Sequence, residues 1–386
     1  MDDTTAAAAL LARLVAFDTT SRNSNAALMG FVAEGLRAQG VAVREQVDAA
    51  TGKVNLHAII GPRVADGIAL SGHVDCVPVD GQAWLADPFV LRRENGRLIG
   101  RGAVDMKGFC ACVLASVPMF LAAGLRRPVH ILLTFDEETT LAGVKLLAPS
   151  LGQDSPPPGA VIVGEPTMLA PMPGHKGMAS WNASVTGVTG HSSRTDTTAN
   201  ALHAAAEAVA WLAREQRRLV AEGARDARYT PPYSTAHCGT FAAGTIMNIV
   251  PDRAGFAFEF RTLPGDAPGP MLARLQAFLE AEVLPGLRAV DPAIEFTFAE
   301  RCVCHPLDLP DGHPLTGLLE GLTGQAAAAR ASYGTEAGTF QRAGIPAIVC
   351  GPGSIAQAHL PEEWIAESQV ADCMGLMRRV AGHLAA

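Results

Sequence analysis

The feature that most constrains this sequence is an apolar run that ends in three consecutive acids. Residues 129–135 are rich in Val, Ile and Leu and run directly into Asp136, Glu137 and Glu138. Continuous apolar character over this length favours a parallel strand buried on both faces. Three adjacent carboxylates at its end repel one another unless a cation, protons or water offset their charge. The alternative is a solvated loop whose acids cap a helix beginning near Thr139.

The length and composition exclude several classes of protein. A chain of 386 residues exceeds the usual size of one domain, so we expect two. No apolar run reaches the roughly 18 to 20 residues of a membrane helix, and the acidic start lacks the basic segment of a signal peptide, which predicts a cytoplasmic protein. A net charge of −8 argues against nucleic acid as a partner. The eight cysteines fit buried, reduced thiols better than a disulfide framework.

Alternating strands and helices predict an α/β domain with a mostly parallel central sheet. This domain comprises residues 1–177 and 295–386. Its predicted helices are residues 5–16, 26–39, 109–123, 139–147, 314–322 and 367–384. Its predicted strands are residues 41–47, 54–60, 68–72, 129–135, 160–163 and 345–350.

The intervening residues 178–294 follow a different pattern. Strands and helices there have the β-α-β-β-α-β order of a ferredoxin-like α+β domain. The predicted elements are strands 180–188, 234–243, 253–263 and 293–299 and helices 200–219 and 271–284. We expect an inserted lid that also mediates formation of a homodimer, because one face or edge of so small a sheet is left free. His175 lies in the predicted hinge and has no assigned role.

Polar residues recur where the predicted strands end. His73 and Asp75 follow strand 68–72, and residues two apart on a strand point the same way, so the Asp75 carboxylate can reach the second ring nitrogen of His73 and fix its tautomer. A surface histidine beside a chance acid is the alternative. Asp105 lies in a glycine-rich turn that lacks the register of a phosphate-binding loop. Cys76 lies beside these candidate ligands without an assigned role.

Together the strand ends offer two imidazoles and several carboxylates. Such a set suits two Zn²⁺ ions with one bridging carboxylate, whereas a single catalytic zinc needs only three protein ligands. We therefore predict two Zn²⁺ per chain, for which Co²⁺ could substitute. The candidate residues are His73, Asp105, Glu137, Glu138, Glu165 and His359.

These motifs, in this order, resemble the acetylornithine deacetylase and succinyl-diaminopimelate desuccinylase family of di-zinc amidohydrolases, and the acetylornithine deacetylase branch most closely. The resemblance covers essentially the whole chain and implies a zinc-aminopeptidase-like catalytic domain with an inserted lid. The motifs are Ser-Gly-His73-Val-Asp75, Gly-Arg-Gly-Ala-Val-Asp105-Met-Lys-Gly, Asp-Glu137-Glu138, Gly-Glu165-Pro-Thr, His-Lys-Gly, Gly-His191-Ser-Ser and Gly-Pro-Gly-Ser-Ile-Ala-Gln-Ala-His359.

The resemblance also implies how the ligands divide between the two ions. Asp105 bridges them and is followed by a cis peptide bond. His73 and Glu165 complete one site, and Glu138 and His359 complete the other.

The remaining predicted roles concern proton transfer and substrate. The resemblance implies that Glu137 is the general base and that His191, reaching across a dimer, stabilises the oxyanion. Arg261 suits a substrate carboxylate because its planar fork binds bidentately, although an ordinary surface arginine is the alternative. Asn248 is a candidate polar contact. Glu336 would favour a substrate with an amino group, or else acts structurally as a helix N-cap.

The predicted reaction is metal-dependent hydrolysis of an N-acetylated amino acid, first of all N2-acetyl-L-ornithine to L-ornithine and acetate in arginine biosynthesis. The alternatives are a deacylase or peptidase for another N-acyl amino acid, such as N-succinyl-diaminopimelate, and a dimeric metal-binding protein without turnover. The intact Glu137 counts against the last alternative, because binding alone requires no base.

Overall fold

The computed structural model describes residues 2–386. Its α-helices are α1 (Asp3–Val15), α2 (Ala26–Ala38), α3 (Lys107–Ala115), α4 (Val117–Ala122), α5 (Ala142–Leu147), α6 (Ala201–Glu222), α7 (Pro268–Phe278), α8 (Leu284–Arg288), α9 (Pro314–Thr323), α10 (Ala337–Arg342) and α11 (Glu367–Ala385). Its strands are β1 (Ala42–Val47), β2 (Val54–Ile60), β3 (Ile68–His73), β4 (Arg92–Glu94), β5 (Arg97–Ile99), β6 (Val129–Thr134), β7 (Ala160–Pro166), β8 (Gly174–His175), β9 (Gly177–Thr186), β10 (Gly190–His191), β11 (Thr235–Ala243), β12 (Ile249–Val250), β13 (Arg253–Thr262), β14 (Phe296–Cys304), β15 (Leu307–Asp308), β16 (Ala347–Gly351) and β17 (Trp364–Ala366).

The chain divides into two compact units. The first contains the chain up to Gly174 together with Leu307–Arg330 and Thr335–Ala386, and the second contains His175–Pro306 and Ala331–Gly334. Each unit has its own apolar core. The return to the first unit comes later than the predicted residue 295, because β14 continues to Cys304 within the sheet of the second unit.

The first unit is built on a sheet in the order β1-β2-β6-β3-β7-β16. The strands β6, β3, β7 and β16 are parallel to one another, whereas β1 and β2 are antiparallel to their neighbours. Residues along the four parallel strands are almost all buried, as their unbroken apolar runs predicted. The parallel arrangement brings the carboxyl ends of these strands to one edge of the sheet.

The predicted helix over residues 109–123 is divided in the structure. The helix α3 ends at Ala115, and α4 begins at Val117 with Pro118 in its first turn. Proline has no backbone N–H and cannot continue the hydrogen-bond ladder of the preceding helix. Likewise α5 begins three residues later than predicted, because Leu141 before it adopts a left-handed φ of 57°.

The second unit contains an antiparallel sheet in the order β11-β13-β9-β14 with α6 and α7 as the crossover helices. This β-α-β-β-α-β arrangement is the ferredoxin-like one predicted. The predicted helix 271–284 instead ends as α7 at Phe278 and continues into a π-helical turn over Leu279–Val283. Among residues 2–386, no helix is both long enough and apolar enough to cross a bilayer.

A small sheet of the first unit was not predicted. It has the order β17-β5-β4, and each of its strands contains only three residues. Such short strands carry too little alternation to be recognised from sequence. The residue that precedes β17 is Glu363, which is buried.

Candidate metal centre

The sheet edge of the first unit collects the predicted ligands. His73 is the last residue of β3, and Glu165 lies near the end of the neighbouring strand β7. The acids 136–138 follow β6 directly. Asp105 lies in the turn before α3, and His359 lies in the loop after β16 with a left-handed φ of 63°. All six side chains proposed from the sequence therefore belong to one unit.

Asp105 lies between the two histidines. Its Oδ1 is 3.0 Å from His73 Nε2, and its Oδ2 is 3.1 Å from His359 Nε2. Glu165 Oε1 lies 3.4 Å from His73 Nε2 on one side, and Glu138 Oε1 lies 3.1 Å from His359 Nε2 on the other. The structure thus contains two ligand groups that share Asp105. The cis peptide bond between Asp105 and the next residue is also present, as the resemblance implied.

Glu137 belongs to the same cluster as these ligands. Ligand atoms of His73, Glu137 and Glu165 all lie within 4.8 Å of one another, and so do those of His73, Asp105 and Glu138. Burial, and after it the charge of Glu165, raises the pKa of Glu137 well above its ordinary value. Glu137 is therefore a half-buried carboxyl group that lies close to any ion or water molecule bound by His73 and Glu165.

The protonation of the cluster indicates that its donors suit divalent cations. Burial, and after it the charge of Asp105, raises the pKa values of both Glu138 and Glu165 to about 7. Hydrogen bonds to Asp105 and Glu138 raise the pKa of His359 to about 11. Some of these donors therefore carry protons at neutral pH, and a metal ion displaces those protons when it binds. Imidazole nitrogen and carboxylate oxygen are zinc ligands, so the residues present fit two metal ions on either side of Asp105.

Asp75 contacts more groups than the sequence predicted. His73 Nδ1 lies 3.0 Å from the backbone oxygen of Asp75 and 3.5 Å from its Oδ1, so the main chain is the nearer acceptor. The carboxylate also accepts hydrogen bonds from the backbone N–H groups of Glu137 at 3.1 Å and Glu138 at 3.3 Å. The Ser21 hydroxyl donates to Asp75 Oδ2 at 2.7 Å. Asp75 therefore anchors both the histidine and the acid-bearing turn.

Asp136, which the sequence left without a role, is part of the turn itself. It has a left-handed φ of 56° and forms a buried ion pair with Lys53. The same ammonium group donates to the backbone oxygen of Ser21. Lys53 was missed because a lone lysine before an apolar strand carries no signal of a distant partner.

Glu336 lies away from solvent. It is fully buried at the start of α10, where Ser71 Oγ donates to Oε1 at 2.6 Å and Thr134 Oγ1 donates to Oε2 at 2.7 Å. Its side chain forms no hydrogen bond that caps the helix. Because each oxygen accepts a bond from a buried hydroxyl and the side chain has no exposed surface, the geometry favours a structural role over the expected substrate contact.

The other predicted substrate residues lie in the second unit. His191 is exposed, and its Nδ1 is 2.8 Å from Ser193 Oγ. Asn248 is exposed in the turn before β12. Arg261 Nε donates to Glu259 Oε1 at 2.7 Å, so a carboxylate already occupies part of its fork. Their predicted roles toward substrate stay predictions.

Two residues without an assigned role are buried and neutral. Burial raises the pKa of the Cys76 thiol to about 11 and lowers the pKa of His175 to about 4. The C-x-C cysteines are also buried and form no disulfide bonds, as predicted; they are Cys110, Cys112, Cys302 and Cys304.

Comparison with known proteins agrees with this site. The sequence pattern of the family described as Peptidase family M20/M25/M40 matches residues 69–383. The chain belongs to this family. It is therefore a metal-dependent hydrolase, and the resemblance predicted from its motifs is confirmed. An acetylornithine deacetylase from Photorhabdus laumondii subsp. laumondii is 33% identical over 371 residues, which are 95% of this chain and 93% of that protein.

Solved structures share the fold of this M20 family member. A metallo-carboxypeptidase of the M20 family from Sulfolobus solfataricus superposes with a TM-score of 0.76 at 18% identity and covers 100% of this chain and 99% of that chain. A dinuclear metal-binding peptidase of the M20 family from Bacillus subtilis has a TM-score of 0.66 at 13% identity, covering 99% and 98%. These likenesses confirm the predicted fold class.

Proposed function

We propose that this M20 family member hydrolyses the N-acyl amide of an N-acetylated amino acid, first of all N2-acetyl-L-ornithine to L-ornithine and acetate. The observation that carries the proposal is the cluster in which Asp105 lies between His73 and His359 with Glu137 alongside. The 33% identity to an acetylornithine deacetylase along nearly the whole chain supports this substrate. The proposed place of the reaction is arginine biosynthesis.

Two Zn²⁺ ions per chain are the proposed cofactors, and Co²⁺ could replace them. His73 and Glu165 would hold one ion, Glu138 and His359 would hold the other, and Asp105 would bridge them. When bound, such a pair supplies Lewis acidity toward the acyl carbonyl and makes water more acidic. The dinuclear peptidase from Bacillus subtilis, which has the same fold, supports two ions over one.

Glu137 is the residue proposed to transfer protons. As the general base it removes a proton from the attacking water, and as the general acid it returns that proton to the departing amine nitrogen. The bond broken is the amide C–N bond, and the oxygen of water becomes part of acetate. A carboxyl group whose pKa burial raises is suited to both steps, because it can hold the proton between them.

Three residues of the second unit are proposed to bind substrate. Arg261 would exchange part of its pairing with Glu259 for the α-carboxylate, which its planar fork matches. Asn248 would contribute a polar contact. His191 would stabilise the oxyanion from the partner subunit of a homodimer.

An apolar patch supports the proposed homodimer. Ile246, Met247 and Ile249 of the second unit are each more than two-fifths exposed and line one shallow depression, and Met247 is 96% exposed. Adjacent exposed apolar side chains of this kind mark interaction sites. We propose that the second unit of one protomer binds its partner through this patch.

A substrate panel tests the proposed reaction. The purified zinc enzyme is offered N2-acetylornithine, N-acetylmethionine and N-succinyl-diaminopimelate, and release of the free amine is measured. We expect the highest kcat/KM for acetylornithine. If acetylornithine were the poorest of the three substrates, the assignment would be wrong and another N-acyl amino acid would be the substrate.

A further inference from the structure

A buried ion pair lies beside the metal-ligand cluster but contributes no ligand to it. Arg101 Nη1 is 2.7 Å from Glu363 Oε2, and both side chains are 1% exposed. A buried pair of this kind adds little net stability, because desolvation of the two charges offsets their attraction. The role of the ion pair is therefore indicated by the other groups to which Arg101 and Glu363 form hydrogen bonds.

Glu363 binds the backbone of the loop that carries Asp105. Its Oε1 accepts hydrogen bonds from the N–H groups of Val104 at 2.9 Å and Asp105 at 3.1 Å. Its Oε2 accepts a further bond from the N–H of Gly102 at 3.1 Å. One carboxylate thus holds three backbone amides of this loop. The position of the Asp105 carboxylate follows from that of its backbone.

Arg101 continues the connection toward His359. Its Nη2 donates to Gln82 Oε1, and Gln82 Nε2 donates to the backbone oxygen of His359 at 2.9 Å. Trp84 Nε1 also donates to Gln82 Oε1 at 3.0 Å, which fixes the amide with its nitrogen toward His359. The Arg101 guanidinium lies over the Trp84 ring, 5.2 Å from its centroid. Glu363, Arg101 and Gln82 thus form a linking network between Asp105 and His359.

We propose that the linking network positions Asp105 and His359 relative to each other and so sets the affinity of the metal ion assigned to Glu138 and His359, the second ion. Glu363 accepts a hydrogen bond from the backbone N–H of Asp105, and Gln82 donates one to the backbone oxygen of His359. The left-handed φ of 63° at His359 makes an external hydrogen bond to its carbonyl more important, since few residues adopt that conformation unaided. This inference rests on the dinuclear site proposed above.

Gln82 is the best point at which to test the network, because it is only half-buried and its replacement leaves the ion pair in place. Gln82→Leu removes all three of its hydrogen bonds, those accepted from Arg101 and Trp84 and the one donated to His359. Gln82→Glu keeps an acceptor for Arg101 and Trp84 but cannot donate to His359. Gln153→Leu is the matched control, since exposed Gln153 also donates to a backbone oxygen, that of Pro149 at 3.2 Å.

Zn²⁺ alone is the probe, and its binding to the metal-free chain is measured by competition with a chromogenic chelator. We expect two ions for wild type and Gln153→Leu. Both Gln82 variants should bind the first ion normally and the second about 10- to 100-fold more weakly, which is the usual effect of losing a group that orients a ligand. Their activity should recover when zinc is added in excess.

Wild-type affinity for both ions in Gln82→Leu would overturn the inference, and so would equal weakening of both ions. Normal binding by Gln82→Glu would show that the bond to His359 is not the cause. The result is independent of the substrate assignment. A wild-type chain that binds two zinc ions and leaves acetylornithine intact would refute that assignment alone.

Discussion

The carboxylate of Asp75 accepts a hydrogen bond from the backbone N–H of Glu137 at 3.1 Å. The residue that contacts His73, a proposed metal ligand, thus also sets the direction in which the proposed base emerges from the turn. The same carboxylate accepts a hydrogen bond from the amide of Glu138 at 3.3 Å, so the proposed base and the proposed ligand beside it are held by one group. The proposed proton transfer and metal binding would therefore depend on a shared anchor but on different side chains.

Replacing Glu137 should separate these two functions. Glu137→Ala is expected to keep two zinc ions per chain and to lose turnover by about 10²- to 10⁴-fold, the usual contribution of a general acid–base. Metal analysis and kcat with acetylornithine provide the measurement. Glu34→Ala, at an exposed position of α2, is the control and should have wild-type activity. Undiminished turnover in Glu137→Ala would remove this residue from the mechanism.

Replacing Glu336 should change stability and leave substrate preference unchanged. Glu336→Ala leaves the hydroxyls of Ser71 and Thr134 without their carboxylate, and unsatisfied buried polar groups cost about 1–3 kcal/mol. Urea unfolding should show this loss in the free energy of unfolding. The ratio of kcat/KM for acetylornithine to that for N-acetylmethionine should stay the same. A selective loss for acetylornithine would instead assign Glu336 to the substrate amino group.

Binding of zinc should release protons. Glu138 and Glu165 have pKa values of about 7 and His359 has one of about 11, so the metal-free chain carries protons at these ligands at neutral pH. Calorimetric titration at pH 7 in buffers of different ionisation enthalpy should detect the release. Release should decrease as the pH rises above 7, because the two glutamates then ionise before zinc binds. Glu138→Gln should release fewer protons, and a heat independent of buffer would contradict the prediction.

Acid should destabilise the first unit through a stacked pair of histidines. His57 and His130 are buried with a ring nitrogen separation of 3.0 Å. Burial, and for His130 also the neighbouring His57, lowers their pKa values to about 4 and about 3. The unfolded chain, with a histidine pKa near 6.5, therefore binds more protons below that pH, and stability falls as the pH drops from about 6.5 toward 4.

The size of this effect can be measured with a matched variant. For His57, a pKa lowered from 6.5 to about 4 corresponds to a loss of the order of 3 kcal/mol in the free energy of unfolding once the pH has fallen below about 4. His57→Phe/His130→Phe should flatten the dependence of the free energy of unfolding on pH between 6.5 and 4. His203→Gln, at an exposed position of α6, should leave the slope unchanged. An unchanged slope in the double variant would contradict the prediction.

The proposed dimer should depend on the apolar patch of the second unit. Met247→Asp is expected to reduce the mass in solution from about twice 40.2 kDa to 40.2 kDa, because a charge in an apolar interface is costly to desolvate. Light scattering after size exclusion provides the mass. Leu85→Asp is the control, since Leu85 is 84% exposed on the first unit. A dimer that persists in Met247→Asp would exclude this patch as the interface.

Much of the fold follows from local patterns in the sequence. The buried parallel strands were recognisable because both of their faces are covered, which leaves unbroken apolar runs such as residues 129–134. The small sheet that contains β17 was not, because three-residue strands carry no period. The division between α3 and α4 depended on a single proline, Pro118, within an otherwise continuous apolar pattern.

By itself, the sequence predicted the nitrogen and oxygen donors proposed here, because the ends of parallel strands meet at one edge of a sheet and the ordered motifs resemble those of a known family. Only the tertiary structure decided which groups meet. It turned Glu336 inward onto Ser71, paired Asp136 with Lys53, and placed Glu363 on the amides around Asp105. These partners are 83 to 265 positions apart in the chain, so their contacts depend on how the elements pack and not on any local period.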